Sequence, residues 1–480
     1  MKKIFKVISL LAGFILILSA CDDYNYLNVP TLDTGTASFS KYVAIGNSLT
    51  AGYQSSSLFE SAQNYSYGKL IAISMRTQYE QPLVSDPGTG GRLEIQSLSP
   101  FTLTVNPSMG TPINVNYAAP YNNLGVPGAF VYDVLNATNS NDCFTALGGT
   151  PNPMFDLILR GLGTQFEQAQ ALHPSFVTLW IGNNDVLGFA TSGGTSPNAP
   201  TDITLFTTLY TSTGSAISSL GADVVVGNIP DVSTIPFFTT VGPQMALGIP
   251  WSQLAQLSVP GLFYQAHGNN SLSMVYTDSL SLLYGTAVPN GVLVTLKGSS
   301  YAPLVGIPTG KFYRDFGYPG LPAGIDTTQP FGVHPQNPWP DALILDPSEI
   351  TTATNAVNQY NNVIQNVANT NGFGYADIKG LLQSIRANDF TGGTVINGVV
   401  FTTMFVTGGI FSLDGVHPTS QGQGIIANKF IEVINSKFGS NIPSVDVSTI
   451  PGSLNFAAKI AYDEHGYMIF PKGAFDHLLF

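Results

Sequence analysis

Residues 42–53 read Tyr42-Val43-Ala44-Ile45-Gly46-Asn47-Ser48-Leu49-Thr50-Ala51-Gly52-Tyr53, and the fold follows from how that stretch is built. Four apolar residues run on without a break and stop abruptly at Gly46-Asn47-Ser48. A short continuous apolar run bounded by turn residues predicts a strand covered on both faces, as in a parallel sheet. Similar runs recur at residues 176–181 (FVTLWI), 223–226 (DVVV) and 373–378 (FGYADI). Helical patterns lie between them. Residues 153–172 carry Phe155, Leu157, Ile158 and Leu162 and predict a helix that ends at His173-Pro174. A clearer one starts at Asp346-Pro347-Ser348-Glu349; Ile350, Ala353, Val357, Tyr360, Ile364, Val367 and Ala368 then recur at three- and four-residue spacing until Gly372. Strand and helix signals in alternation predict an α/β fold with right-handed crossovers.

The chain of 480 residues is long enough to bury a sizeable core, and with 44% hydrophobic and 10% charged residues it is no candidate for general disorder. A formal net charge of −12 argues against nucleic acid as a partner, because that role needs a basic face. Two cysteines, Cys21 and Cys143, cannot build a disulfide framework, and Cys143 reads as a small buried apolar residue. A single domain is expected over residues 40–440, interrupted by Pro/Gly-rich insertions at about 78–122 and 239–345. Loops of that length are functional insertions or subdomains, and a lid or substrate-binding wall is expected here, with a purely structural elaboration as the alternative. Residues 441–480 form a tail whose Phe and Tyr content predicts that it packs back.

The N-terminus reads as an address. Lys2, Lys3 and Lys6 precede an apolar stretch, residues 7–18, that is too short for a comfortable membrane span. Leu18-Ser19-Ala20-Cys21 then resembles a bacterial lipobox, which implies cleavage after residue 20 and lipidation of Cys21. Residues 21–39 are expected to serve as a tether. The implied location is the bacterial cell envelope, with the outer membrane or cell surface favoured over the inner membrane, and the protein anchored, not spanning.

Four blocks carry candidate chemistry. In the first, Ser48 stands just beyond the carboxyl end of a predicted strand, where open α/β sheets place their ligands. The second is Asn123-Leu124-Gly125-Val126-Pro127-Gly128, in which the absent side chain of Gly125 would let its N–H approach a bound oxygen. The third, Gly182-Asn183-Asn184-Asp185, follows the strand at 176–181 and offers a neutral amide to a developing negative charge. In the fourth, Leu413-Asp414-Gly415-Val416-His417-Pro418-Thr419, a carboxylate stands three residues before a histidine. It can accept the ring's Nδ1–H and leave the other nitrogen to take a proton. Each of the first three blocks also reads as an ordinary turn when taken alone.

Together and in this order, the blocks resemble the GDSL, or SGNH, hydrolase family over roughly residues 41–436. The resemblance implies a three-layer α/β/α, flavodoxin-like parallel sheet with large loop insertions. It also implies a serine esterase or lipase with Ser48 as nucleophile, His417 as base and Asp414 as the acid that orients it. The oxyanion hole would combine the N–H of Ser48, the N–H of Gly125 and the side chain of Asn184. No cofactor and no metal is implied. A monomer acting on a small-molecule, lipid or glycan ester is expected. The family's usual aspartate before the nucleophile is Asn47 here. A carbohydrate O-acetyl esterase, or a non-catalytic surface binding lipoprotein on the same scaffold, would use the same residues. Competing motifs fail: there is no G-x-S-x-G elbow and no H-E-x-x-H, and Gly422-Gln423-Gly424 does not open a βαβ unit.

Overall fold

The computed structural model describes residues 32–99, 101–195, 200–266, 275–452, 454, 456, 461–462 and 468–469. The signal sequence and Cys21 lie outside them. Five strands form the central sheet: β1 (Tyr42–Gly46), β2 (Asn123–Gly125), β3 (Phe176–Trp180), β4 (Asp223–Gly227) and β5 (Gly374–Ala376). Their order across the sheet is β2-β1-β3-β4-β5, and every pair is parallel. The registers align Ile45 with Leu179 and Leu179 with Val226. All residues of β1 and β3 are buried, which requires cover on both faces.

Helices supply that cover. Side chains alternate along a strand, so Phe176 and Trp180 share one face of β3. Helices α2 (Tyr67–Ser74) and α7 (Ser420–Phe438) pack there: Tyr67 meets Trp180 edge-on and stacks on Phe430 at 4.9 Å, while Phe176 meets Phe438. A second pair, α4 (Ile203–Ser218) and α5 (Pro347–Asn371), is joined by Phe206 stacked on Tyr360 at 3.9 Å. Helix α5 follows its sequence signals closely. Asp346 caps it in a reciprocal capping box with Glu349, Pro347 stands in the first turn, and Gly372 ends it with φ 69°.

The structure differs from the sequence reading in two places. The helix expected over residues 153–172 is two, Met154–Leu159 and Gln165–Leu172. Arg160, Gly161 and Gly163 have left-handed φ between them, and Thr164 starts the second helix with its own capping box. The expected tether is partly folded: Ala37 and Phe39 are buried, and Phe39 packs edge-on against Phe176 at 5.3 Å. The insertion near 239–345 builds a second core of its own around Trp339, Leu262, Tyr264, Val294 and Phe312. Beyond α7, Ile442, Val447 and Ile450 are buried.

Candidate functional site

The chain leaves β1 at Gly46 and turns at once into a four-residue helix, α1 (Ser48–Ala51). Asn47 caps it: Oδ1 accepts the Leu49 N–H at 3.0 Å. The turn is pinned from several sides. Gln165 Nε2 donates to Gly46 O at 2.8 Å. Gln423 bridges α1 and α2, donating to Leu49 O and accepting the Tyr67 N–H, both at 3.0 Å. The connections leaving β1 and β3 run to opposite sides of the sheet, so Ser48 stands at the carboxyl end of a strand beside the topological switch point. The residue is only 7% exposed.

His417 reaches Ser48 from the far end of the chain. Its Nε2 lies 2.9 Å from Ser48 Oγ, and its Nδ1 lies 3.0 Å from Asp414 Oδ2. The carboxylate accepts at every position it has. Oδ1 takes the N–H groups of Val416 and His417 at 2.9 and 2.8 Å; Oδ2 takes His417 Nδ1 and the Ser56 N–H at 2.9 Å. Burial alone would raise the pKa of Asp414, but the charge His417 carries when protonated and these N–H donors outweigh it and hold the carboxyl at about 2. An ionised Asp414 requires Nδ1 to carry the proton. Nε2 is then the acceptor and the Ser48 hydroxyl the donor. Tyr53 packs its ring against the imidazole at 4.9 Å.

The Ser56 donor was not legible in the sequence. Gln54 and Ser57 exchange both backbone hydrogen bonds, and Ser55 and Ser56 between them have φ of 50° and 63°. This is the two-residue turn with left-handed φ at both central positions that Asn-Gly usually supplies. It aims two N–H groups at the base loop: Ser55 N–H to Ser412 Oγ at 2.9 Å, and Ser56 N–H to Asp414. Ser55 Oγ also accepts the Leu413 N–H at 3.3 Å.

The donors for a bound oxyanion divide differently from expectation. Ser48 N–H opens α1 and makes no hydrogen bond among the described residues. Gly125 does not offer its N–H, which donates to Asn123 Oδ1 at 3.0 Å. Gly125 is glycine because a Cβ would lie 2.4 Å from the Ala51 nitrogen, inside the backbone of α1. The free N–H lies three residues on. Residues 126–129 form a turn closed by Ala129 N–H to Val126 O at 3.0 Å, with Pro127 second and Gly128 third at φ 85°. This is the type II arrangement that a Pro-Gly pair signals. Pro127 O is held by Asn152 Nδ2 at 2.8 Å. The Gly128 N–H of that same peptide therefore points away from Asn152, and it has no acceptor among the described residues. Asn184 adjoins the turn, since its Nδ2 donates one hydrogen to Ala129 O at 2.8 Å and keeps the second.

Two buried carboxyls hold this turn from behind. Asp133 accepts the N–H groups of Phe130 and Phe144, both at 2.7 Å; Asp185 accepts the Val131 N–H at 3.1 Å and the Thr201 hydroxyl at 2.9 Å. Burial pushes both up to about 7 in spite of those donors.

Ser48, His417, Asn183 and Asn184 open onto one cavity of about 50 Å³, several times the ~10–15 Å³ that a single water requires. Leu49, Leu187, Val232, Ile235, Leu382 and Ile426 make most of the remaining wall apolar. Cys143 is buried away from it, with Sγ 3.3 Å from Ser140 O. Among the described residues, no three His, Cys, Asp or Glu side chains gather to hold a metal ion, and no helix is long and apolar enough to cross a membrane. No protein-family model and no curated protein matches the chain.

Proposed function

We propose that the chain is a serine hydrolase that cleaves carboxylic esters, of the GDSL/SGNH type and anchored to the cell envelope through a lipid on Cys21. The observation that carries the reading is the unbroken relay from Asp414 Oδ2 through His417 to Ser48 Oγ, at 3.0 and 2.9 Å. It stands at a sheet end, where the Ser48 N–H itself makes no hydrogen bond among the described residues. The parallel order β2-β1-β3-β4-β5 accords with the flavodoxin-like sheet of that family.

In this mechanism Ser48 Oγ attacks the ester carbonyl carbon as its proton passes to His417 Nε2. Ser48 N–H, Gly128 N–H and the free hydrogen of Asn184 Nδ2 receive the negative charge on the carbonyl oxygen. The carbon–alkoxy bond then breaks, and His417 returns the proton to the departing alcohol. Water repeats the sequence on the acyl-enzyme and releases the acid. The apolar cavity wall favours an ester whose acyl part is hydrocarbon.

The test is labelling by a fluorophosphonate, with turnover of p-nitrophenyl esters, phospholipids and acetylated glycans by wild type and Ser48→Ala. Labelling at Ser48, and turnover lost in the variant, is expected. Full turnover by Ser48→Ala would overturn the proposal.

A further inference from the structure

Asn47 and Asn183 form a buried amide pair, Asn47 Nδ2 donating to Asn183 Oδ1 at 3.1 Å. Which way each amide faces is set by a donor that cannot turn. The Leu49 N–H at the start of α1 needs an acceptor and finds Asn47 Oδ1 at 3.0 Å. That leaves Asn47 presenting NH₂ to its neighbour, and Asn183 must answer with its oxygen. The Asn183 NH₂ is thereby turned away from Asn47. It makes no hydrogen bond among the described residues, it is not among their fully buried unpaired atoms, and the residue lines the cavity beside Ser48 and His417.

We propose that Asn183 is a second substrate-facing amide, donating a hydrogen bond to an oxygen of the bound ester, and that Asn47 is the positioning residue that turns it. This rests on the hydrolase reading of the site. It also gives chemical meaning to the asparagine at position 47. An aspartate there would still cap α1, but it has no hydrogen to give. Asn183 would have to rotate and spend its NH₂ on the carboxylate, leaving its oxygen toward the cavity. One atom's difference at position 47 therefore reverses the polarity of a group in the cavity wall. In surroundings otherwise mostly apolar, a donor selects for a substrate oxygen and against a pure hydrocarbon at that point.

Three variants test the idea on the full chain with a p-nitrophenyl ester. Asn183→Ala removes the donor. Asn183→Asp keeps the oxygen that Asn47 needs and replaces the donor with an acceptor. Asn47→Asp leaves Asn183 in place and turns it over. Each should lower kcat/KM by about 10–100-fold, the effect of one lost hydrogen bond to substrate; Asn183→Ala also strips the buried Asn47 Nδ2 of its acceptor and should unfold at lower denaturant, whereas Asn183→Asp keeps that acceptor. Both aspartate variants add charge near His417, so kcat/KM is read on the plateau of the pH profile. The charge moves the rise of that profile, whereas the missing donor lowers its plateau. Asn183→Ala within twofold of wild type on the plateau overturns the proposal, whatever the other two do. If wild type shows no Ser48-dependent turnover, the hydrolase reading falls, and this inference with it. If turnover depends on Ser48 and only the Asn183 result is flat, this inference alone falls.

Discussion

Replacing Asp414 with asparagine changes one atom and asks the site to absorb an extra N–H pair where every position already faces a donor. If the new NH₂ takes the place of Oδ1, it confronts the backbone N–H groups of Val416 and His417, which cannot reverse. If it takes the place of Oδ2, it confronts the Ser56 N–H and His417 Nδ1. Only the imidazole can give way, by moving its proton to Nε2, so the second orientation is the less costly. Nε2–H then faces Ser48 Oγ as a donor and cannot take the serine proton. The expected loss in kcat is about 10³–10⁴. Stability changes too. Asp414 is held at about 2 against an ordinary 3.8, a shift that corresponds to roughly 2 kcal/mol at neutral pH. That contribution is present above the unfolded value and disappears as pH falls through about 2. Denaturant unfolding at pH 7 and at pH 2.5, with kcat measured at pH 7, checks both halves. An Asp414→Asn protein that is folded and keeps kcat within tenfold of wild type would refute the tautomer argument.

The two glycines of the second block should separate cleanly. In Gly125→Ala the new Cβ meets α1 backbone at 2.4 Å and should cost folding, whereas in Gly128→Ala it meets only the tip of Asn152 at 2.7 Å. Alanine at 128 keeps the backbone N–H but is strained at φ 85°, so this variant should fold about 1–2 kcal/mol less stably and lose up to about 10²-fold in kcat as the 127–128 peptide turns its N–H away; thermal melts and kinetics on both distinguish the outcomes. Ser56→Gly relieves a left-handed φ of 63° and keeps the N–H on Asp414, so it should raise stability by about 0.5–1 kcal/mol at unchanged kcat; a lower urea midpoint would count against the turn's strain. For Asp185, burial raises the carboxyl to about 7, so its contribution to stability is present at low pH and is lost as pH rises from about 4 to about 7. Relative to Asp185→Asn, which still suits the Val131 N–H and the Thr201 hydroxyl, wild type should lose stability over that range by about 1.4 kcal/mol per pH unit at most. Equal differences at pH 4.5 and 7.5 would refute it.

Four of the five central strands were legible because burial on both faces writes itself as an unbroken apolar run. β2 was not, since Asn123-Leu124-Gly125 has the composition of a turn, and neighbours, not its own residues, make it a strand. Helix α5 was legible because its cap, its first-turn proline and its terminal glycine agree with its periodicity. The break after Leu159 was written in Gly161-Leu162-Gly163 but lost beneath the apolar spacing. At the site, residue types identified Ser48, Asp414, His417 and Asn184 as candidates, and the structure brings the first three into hydrogen-bonding line and Asn184 to the same cavity. The choice between Gly125 and Gly128 depended on which N–H the backbone leaves unpaired, and composition does not record that. Ser55 and Ser56 were invisible for a related reason: serine carries no preference for left-handed φ, and only tertiary contacts force it there.

Those contacts also explain why so long an insertion is tolerated next to the chemistry. The loop 412–417 must hold a carboxylate and an imidazole in fixed orientation, yet it is a turn, and turns left to themselves move. On one side it is gripped by the Ser55–Ser56 turn, through Ser412 and Asp414. On another, Gly415 O accepts the Phe237 N–H at 2.9 Å, where the chain is about to enter the insertion. Leu296, from within the insertion, packs against both hydrophobic cores. The second core around Trp339 is thus joined to the base loop by a backbone hydrogen bond at its entrance and by a shared apolar side chain. A segment built around its own fully buried tryptophan, joined to the base loop at its entrance and through Leu296, braces that loop. In the proposed reaction its part is to hold His417 still, and damage at Leu296 should reach Ser48 through the imidazole before it reaches the sheet.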